Sequence, residues 1–158
     1  MMMRLFYYLV AAPVLLVLRL LFWPVKMLLR FFFRRQYFRS VDFDAMDGWE
    51  FEKFVAELLA RNGFCHVEVT KGSGDQGVDI LAQKDGISYA VQCKHYASKI
   101  PNKAVQEAYA GARFYGCDQA VVLTNSYFTQ SALELGDEIE VELWDREELQ
   151  KLIRRARR

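Results

Sequence analysis

The sequence lacks the cysteine pattern that would staple a small domain together. Its three cysteines are odd in number, and no two of them are spaced as C-x-x-C. A paired disulfide framework and a structural zinc site of the usual pattern are therefore excluded. Cysteines that remain as reduced thiols are typical of proteins in the cytosol.

Acidic residues are absent from the first 39 positions, which carry seven arginines and lysines. Residues 40–158 contain the other 14 basic residues and all 20 acids, a net charge of −6. The net charge of +1 for the whole chain therefore hides a basic arm (residues 1–39) and a mildly acidic body (residues 40–158). Because a simple electrostatic nucleic-acid binder is basic, any contact of the body with nucleic acid must come from a local basic patch or from metal ions.

Charge is also nearly absent from residues 5–25, in which Arg19 is the single charged side chain. As a helix rising about 1.5 Å per residue, this run would span roughly 30 Å, the thickness of the hydrocarbon core of a bilayer. No small-x-small cleavage site follows it, so a removable signal peptide is not indicated. Basic residues flank its C-terminal end, which by the positive-inside rule keeps the body in the cytoplasm. We expect a single membrane span that anchors the chain.

A second arrangement of the arm fits the same residues. Basic side chains recur at steps of seven and four and form one stripe on a helix, namely at Arg19, Lys26, Arg30 and Arg34. Such a helix lies in the headgroup plane of a membrane. The apolar run before Arg19, residues 5–18, is only 14 residues long, which is short for a span. Membrane attachment is expected in both cases, and a transmembrane and an interfacial helix both stay open.

The body is predicted to alternate between helices and strands after a short acidic linker, residues 40–47. Apolar side chains at positions 51, 54, 55, 58 and 59 form one stripe, which predicts a helix over residues 48–62. Alternating or continuous apolar runs predict strands over 64–70, 78–83, 87–94, 119–124 and 140–144, and helices over 103–115, 129–136 and the basic C-terminus. The order α-β-β-β-α-β-α-β-α predicts an α/β domain over residues 48–158, with a mixed central β-sheet flanked by helices.

Two neighbouring strands are expected to bring together polar side chains that suit a metal-dependent hydrolase. Alternate side chains of a strand share a face, so Gln92 and Lys94 point one way. Val91 and Cys93 point the other way, into the core. A hairpin turn makes the second and third strands neighbours, so Asp79 can meet Gln92 and Lys94 on one surface. Oxygen ligands hold Mg²⁺, which neutralises charge on a phosphoryl group, and a lysine beside it can orient or deprotonate the attacking water.

These residues resemble the core of the PD-(D/E)xK nucleases, in the variant with Gln before x-Lys. The surrounding sequence resembles the Mrr-like (type IV) restriction endonuclease catalytic domain in FE at 51–52, GSGDQGVD at 72–79, VQCK at 91–94 and VLTNSYFT at 122–129. The resemblance covers about residues 48–149, nearly all of the body. It implies a restriction-endonuclease-like fold and an endonuclease that cuts DNA with Mg²⁺ or Mn²⁺.

The resemblance also implies roles for individual residues. The metal ligands would be Asp79, Gln92 and the carbonyl oxygen of Cys93, with Lys94 as the catalytic base or water-positioning residue. The first-helix glutamate of the family would map to Glu52, which borders the apolar face of its helix. The proline that usually precedes the aspartate of the motif is absent. The glutamine also removes one negative charge from the metal site.

Residues around this set carry weaker signals. His95, Lys99 and Lys103 are candidates for contacts with nucleic-acid phosphates, and ordinary solvated side chains are the alternative. Gln106 in the second helix faces the site in the family arrangement and could support the catalytic lysine. An exposed surface glutamine is the equal alternative.

The predicted function is a membrane-anchored, metal-dependent endonuclease with DNA and the membrane as its partners. Two functions of other classes stay open. The glutamine at the second ligand position and the missing proline are compatible with a nucleic-acid-binding module that has lost catalysis. The acidic net charge is compatible with a membrane-bound scaffold of the same fold. A homo-oligomer is also left open.

Overall fold

The computed structural model describes residues 22–26, 38, 41–70 and 76–157. The chain divides into two compact units, Met1–Val41 and Asp42–Arg158. In the first unit, residues 22–26 are helical. None of the helices among the described residues is both long and apolar enough to cross a bilayer. Most of the predicted span, residues 5–25, lies outside the described residues.

The second unit has the order of elements that the sequence predicts, and the ends of every element with predicted bounds agree to within two residues. The helices and strands are α1 (Gly48–Arg61), β1 (Cys65–Val69), β2 (Ile80–Lys84), β3 (Ile87–Lys94), α2 (Asn102–Tyr115), β4 (Gln119–Thr124), α3 (Gln130–Glu138), β5 (Val141–Trp144) and α4 (Arg146–Ala156).

The first helix begins where local capping predicts it. The side chain of Asp47 accepts a hydrogen bond from the backbone N–H of Glu50 at 2.8 Å, and the Glu50 carboxylate accepts one from the backbone N–H of Asp47 at 3.1 Å. This reciprocal capping box satisfies two backbone donors that a helix start would leave unpaired. The predicted apolar stripe is the buried face of α1: Phe51, Phe54, Val55, Leu58 and Leu59.

The five strands form one mixed sheet in the order β1-β2-β3-β4-β5. The β1–β2 and β2–β3 pairs are antiparallel, whereas β3–β4 and β4–β5 are parallel. Ile80 pairs with Val91, and Lys94 pairs with Thr124. The mixed central sheet is therefore confirmed, and β3, which carries Gln92 and Lys94, is its middle strand.

Helices cover both faces of the sheet around β3. The helices α1 and α4 contact each other, and α1 packs on β1, β2 and β3 whereas α4 packs on β4 and β5. The helices α2 and α3 contact each other, and α2 packs on β3, β4 and β5 whereas α3 packs on β5. Ala90 and Val122 belong to the buried cluster formed with α2 and α3. Because successive side chains of a strand point to opposite faces, Gln92 and Lys94 share the α2 side with Ala90, and Cys93 faces the α1 side.

The turn that leads into Asp79 lies very close to α2. A Cβ at Gly111 of α2 would overlap the side chain of Val78. Gly77 has a φ of +76°, and a Cβ there would lie 3.2 Å from the Cβ of Glu107. Glycine at both positions therefore allows an approach that a larger residue would prevent. This packing brings α2 against the predicted catalytic strands.

Candidate active site

Asp79 lies directly before β2, at the end of the sheet where β3 finishes. The strand begins at Ile80, later than predicted, because Gln76 and Gly77 both have positive φ and turn the chain before it. The Asp79 carboxylate oxygen Oδ2 accepts a hydrogen bond from the backbone N–H of Cys93 at 2.6 Å. The backbone N–H of Asp79 donates to the carbonyl of Val91 at 2.9 Å. These bonds fix the aspartate beside the last residues of β3.

Gln92 is a buried polar residue, with 3% of its surface exposed. Its Nε2 donates a hydrogen bond to Glu107 Oε2 at 3.0 Å. Its Oε1 is buried and meets no hydrogen-bond donor within the described part of the chain. Leaving a buried acceptor unsatisfied costs about 1–3 kcal/mol, so such groups usually have a further partner. An amide oxygen is a ligand that Mg²⁺ accepts.

Lys94 is held from two sides. Its Nζ donates to Glu107 Oε2 at 3.1 Å, and 20% of its side chain is exposed. Its main-chain carbonyl accepts a hydrogen bond from the Thr124 hydroxyl at 2.6 Å, which ties the end of β3 to β4. The same Glu107 oxygen that binds Lys94 also binds Gln92, so one carboxylate joins the two side chains. Sequence reasoning did not assign this role to Glu107.

Glu107 is ionised at neutral pH. Burial by itself raises its pKa, but hydrogen bonds from Lys94 and Gln92, together with the charges of Lys94 and Lys103, lower the pKa below its ordinary value. The Lys103 Nζ lies 3.7 Å from Glu107 Oε1, one helical turn away. A half-buried carboxylate therefore balances the charge of Lys94 and accepts hydrogen bonds from both Lys94 and Gln92.

The alternation along β3 directs Cys93 to the α1 side, opposite to Gln92 and Lys94, and the residue is partly buried there. Burial raises the pKa of its thiol well above the ordinary value, and the negative charges of Asp79 and Glu52 raise it further. The thiol is therefore neutral at physiological pH. The ligand role that the family resemblance implies for Cys93 belongs to its carbonyl oxygen.

Glu52 lies on α1, which covers the opposite face of β3 from α2. The side chain is half-buried, and its charge acts on the Cys93 thiol. The structure therefore places Glu52 near the end of β3 on the α1 side. Gln92 and Lys94 both contact Glu107 of α2, and the Asp79 carboxylate contacts the backbone N–H of Cys93 near the end of the same strand.

Four further residues were predicted from weaker sequence signals, namely His95, Lys99, Lys103 and Gln106. His95 lies just beyond β3, where its Nε2 is 2.9 Å from the Phe43 carbonyl oxygen and its ring centroid is 5.0 Å from that of Phe51. Lys99 and Lys103 are exposed. Gln106 is exposed as well, and its neighbour Glu107 is the residue that contacts Lys94. The sequence did carry a signal for Glu107, because this residue lies beside a stripe of small residues on α2. The stripe includes Ala104, Ala108 and Gly111.

The donor atoms of this centre suit a hard cation. Within the described ranges, no group of three or more His, Cys, Asp and Glu side chains is placed to hold a metal ion. The predicted ligands instead supply one carboxylate, one amide oxygen and one backbone carbonyl. Oxygen donors of this kind suit Mg²⁺ or Mn²⁺ better than zinc. The unsatisfied Oε1 of Gln92 is the structural observation by which the residues fit a cation.

Comparison with known families bears directly on this arrangement. The Mrr_cat family, described as restriction endonuclease, matches residues 43–153, which contain the whole sheet and all the residues above. The chain belongs to this family. A curated relative, an uncharacterized protein of Archaeoglobus fulgidus, is 29% identical over 86 residues that cover 49% of this chain and 49% of that protein. The chain thus spans about half the length of the curated relative it matches.

Solved structures share the fold of this Mrr_cat domain. AspBHI, a DNA modification-dependent restriction endonuclease, has a TM-score of 0.55 at 17% identity, over 78% of this chain and 33% of its own. MspJI, a restriction endonuclease crystallised with a 27-mer oligonucleotide, has a TM-score of 0.53 at 18% identity, over 77% and 29%. AF1548, a protein of unknown function, has a TM-score of 0.52 at 24% identity, over 60% and 55%. The predicted restriction-endonuclease-like fold is therefore confirmed.

Proposed function

We propose that this protein is a membrane-anchored endonuclease that hydrolyses the phosphodiester bonds of DNA with Mg²⁺ or Mn²⁺. Membership of the Mrr_cat restriction endonuclease family supports the reaction class. The observation that carries the proposal is the geometry at the end of β3. There the buried amide oxygen of Gln92, for which the described residues provide no donor, lies on the same strand face as Lys94, and Glu107 holds both side chains.

Each side chain of the centre has a part in this reaction. Asp79, Gln92 Oε1 and the Cys93 carbonyl would hold the divalent ion, which when bound polarises the phosphoryl group. The ammonium group of Lys94 orients the attacking water and offsets the negative charge that develops on the phosphoryl oxygens. Glu107 is a positioning residue, because it acts through Lys94 and Gln92.

DNA is the proposed substrate because two relatives in fold point to it. MspJI was crystallised with an oligonucleotide, and AspBHI is a restriction endonuclease that depends on DNA modification. Lys99 and Lys103 are exposed, and Lys103 lies beside Glu107 of the centre. Together with His95 they would contact backbone phosphates. These local contacts compensate for the acidic net charge of the body.

The membrane anchor is proposed from the sequence of the arm. Residues 5–25 are apolar apart from Arg19, and basic residues follow them. This pattern supports a single span with the nuclease domain in the cytoplasm, where the positive flank stays. The tether would confine cleavage to DNA that comes near the membrane surface.

Lys94 provides the experiment that tests catalysis. Nicking of supercoiled plasmid by the full-length protein in detergent is measured with Mg²⁺, with Mn²⁺ and with EDTA, and DNA affinity is measured in parallel. Lys94→Ala should lower turnover by roughly 10²-fold, the scale of losing one preorganised electrostatic group. Affinity should change little, because one phosphate contact among several is a modest part of binding. Lys94→Arg should not restore turnover, because a wide guanidinium cannot replace a compact ammonium.

A matched control for this experiment is Lys151→Ala. Lys151 lies on α4 and pairs with Glu148 at 2.8 Å, so its substitution also breaks an ion pair, but on the α4 side of the domain. It should cleave as the wild type does. A wild type without metal-dependent cleavage, in which Lys94→Ala costs affinity alone, would identify a binding module. Undiminished cleavage by Lys94→Ala would place the active site elsewhere.

A further inference from the structure

A cleft of about 500 Å³ opens directly beyond the end of β3. Its walls are residues 95–97, which follow β3, and residues 125–127, which follow β4, with Asp44 and Arg146 on one side. The volume lies within the roughly 300–1,000 Å³ that is usual for pockets of small ligands. Asp79, Gln92, Lys94 and Glu107 do not line this cleft.

The two loops that form the cleft are fixed to each other. The backbone N–H of Tyr96 donates to Asn125 Oδ1 at 2.9 Å. Further along, the N–H of Ile100 donates to the carbonyl of Tyr127 at 2.8 Å, and the N–H of Thr129 donates to the carbonyl of Ile100 at 3.0 Å. The cleft therefore keeps a constant position relative to the end of β3 and its catalytic lysine.

Two exposed tyrosines give the cleft its chemistry. Tyr96 and Tyr127 come from different loops, line the same cleft and are 54% and 43% exposed. Nucleic-acid bases stack on exposed aromatic rings of this kind whatever their sequence, because every base has a π-face. Tyr96 follows Lys94 by two residues, and two residues of an extended chain span at most about 7 Å. Tyr96 is therefore within reach of the nucleotide next to a phosphate that binds at Lys94.

The charge of the cleft favours a base over a phosphate. Arg146 is the one arginine or lysine among the described residues that line it, and its guanidinium donates to both carboxylate oxygens of Asp44. This hydrogen bonding lowers the pKa of Asp44, so the pair is ionised and its charges cancel. The guanidinium also lies 5.0 Å from the centre of the Phe43 ring. A phosphate is bound best by an uncompensated cation, whereas a neutral, flat base needs none.

We propose that this cleft binds one unstacked nucleobase of the DNA strand next to the scissile phosphate, against the rings of Tyr96 and Tyr127. The proposal rests on the proposed nuclease function and names the part of the substrate that the cleft receives. A base in an intact duplex must first be unpaired and unstacked, which costs free energy. The protein should therefore bind single-stranded DNA more tightly than a duplex of the same sequence.

The test measures binding without cleavage. Full-length protein in detergent and EDTA is titrated against a labelled, short single-stranded oligonucleotide, and against versions in which one abasic site is moved along the strand. One abasic position should weaken binding by about tenfold, on the scale of one lost base–aromatic stack. Tyr96→Leu and Tyr127→Leu should each weaken binding of the intact strand by about tenfold, and the abasic position should then have little effect.

Matched variants separate stacking from folding. Tyr96→Phe and Tyr127→Phe keep the rings and should bind as the wild type does. Tyr109→Leu removes a tyrosine of α2 that is 37% exposed and lies outside the cleft, and it should bind normally. Melting temperatures of all variants are compared, so that a variant that fails to fold is recognised and its phenylalanine counterpart is used instead.

The proposal is overturned if the wild type does not bind the single strand, if abasic sites have the same effect at all positions, or if the leucine variants bind as the wild type does. Metal-dependent cleavage with none of these binding effects would remove the base cleft and leave the nuclease function in place. Binding that senses one abasic position, in a protein that cleaves no DNA with either metal, would support the cleft and remove the nuclease function.

Discussion

Glu107 gives the sharpest test of how the candidate site is held together, because one of its oxygens serves two predicted catalytic residues. Glu107 Oε2 accepts a hydrogen bond from Lys94 Nζ at 3.1 Å and from Gln92 Nε2 at 3.0 Å. Glu107→Ala removes this acceptor from an ammonium whose side chain is 20% exposed and from an amide that is 3% exposed. We expect Lys94 to leave its position as a result.

The magnitude follows from these two bonds and their exposure. A hydrogen bond to a charged group contributes roughly 1.5–3 kcal/mol, and a neutral one contributes about 0.5–1.5 kcal/mol. Because 35% of the Glu107 side chain is exposed, solvent screens the ion pair and places its contribution at the low end. We therefore expect the free energy of unfolding to fall by about 2 kcal/mol. Cleavage should fall by about 10²-fold, the effect of displacing a catalytic group by about 1 Å.

Single-turnover plasmid cleavage with Mg²⁺ and urea unfolding of the same samples measure the two effects. Glu107→Gln keeps an acceptor oxygen of the same reach and should recover most of the stability. It should recover only part of the cleavage rate, because a neutral amide cannot balance the Lys94 charge. Glu148→Ala is the control, since Glu148 is 29% exposed and contacts Lys151 and Arg155 on α4. That variant should keep full turnover.

The reasoning is refuted if Glu107→Ala cleaves at the wild-type rate while it loses the expected stability. Glu107 would then stabilise the fold without positioning the catalytic lysine. A fall in cleavage with no fall in stability would instead contradict the assignment of two net favourable hydrogen bonds to this carboxylate.

The remaining expectations concern the predicted ligands, the Asp44–Arg146 pair and the arm. Asp79→Ala should abolish cleavage and weaken Mn²⁺ binding in calorimetric titration, because it removes the carboxylate of the predicted ligand set. Gln92→Glu should retain or raise activity, since it restores a carboxylate at the same reach; a folded variant without activity would show that the amide has another role. The hydrogen bond from Arg146 lowers the pKa of Asp44, so the pair should stabilise the fold above about pH 3.9 and lose this contribution as the pH falls through the lowered pKa. Acid unfolding of Asp44→Asn should accordingly depend less on pH in that range. The full-length protein should sediment with membranes and require detergent for release; a soluble, monodisperse protein without detergent would contradict the anchor.

The order of elements follows from the sequence alone, because the signals that specify it are local. In α1 the apolar side chains from Phe51 to Leu59 recur with the helical period, and Asp47 and Glu50 cap the start within four residues. The hairpin between β2 and β3 is equally local, which is why the sequence predicts that Asp79, Gln92 and Lys94 share one surface. The order of all five strands is not local, since the parallel pairs on β4 require crossovers through α2 and α3.

Only the tertiary structure decided which residues that are distant in sequence contact each other. Glu107 reaches Lys94 because Gly77 and Gly111 let α2 pack tightly on the turn before Asp79. The cleft beyond the end of β3 joins two loops to a pair, Asp44 and Arg146, whose members are 102 positions apart. The periods of a helix and a strand determine which side chains share a face of one element. Which elements then meet depends on how their buried surfaces pack together, and no short stretch of the sequence carries that information.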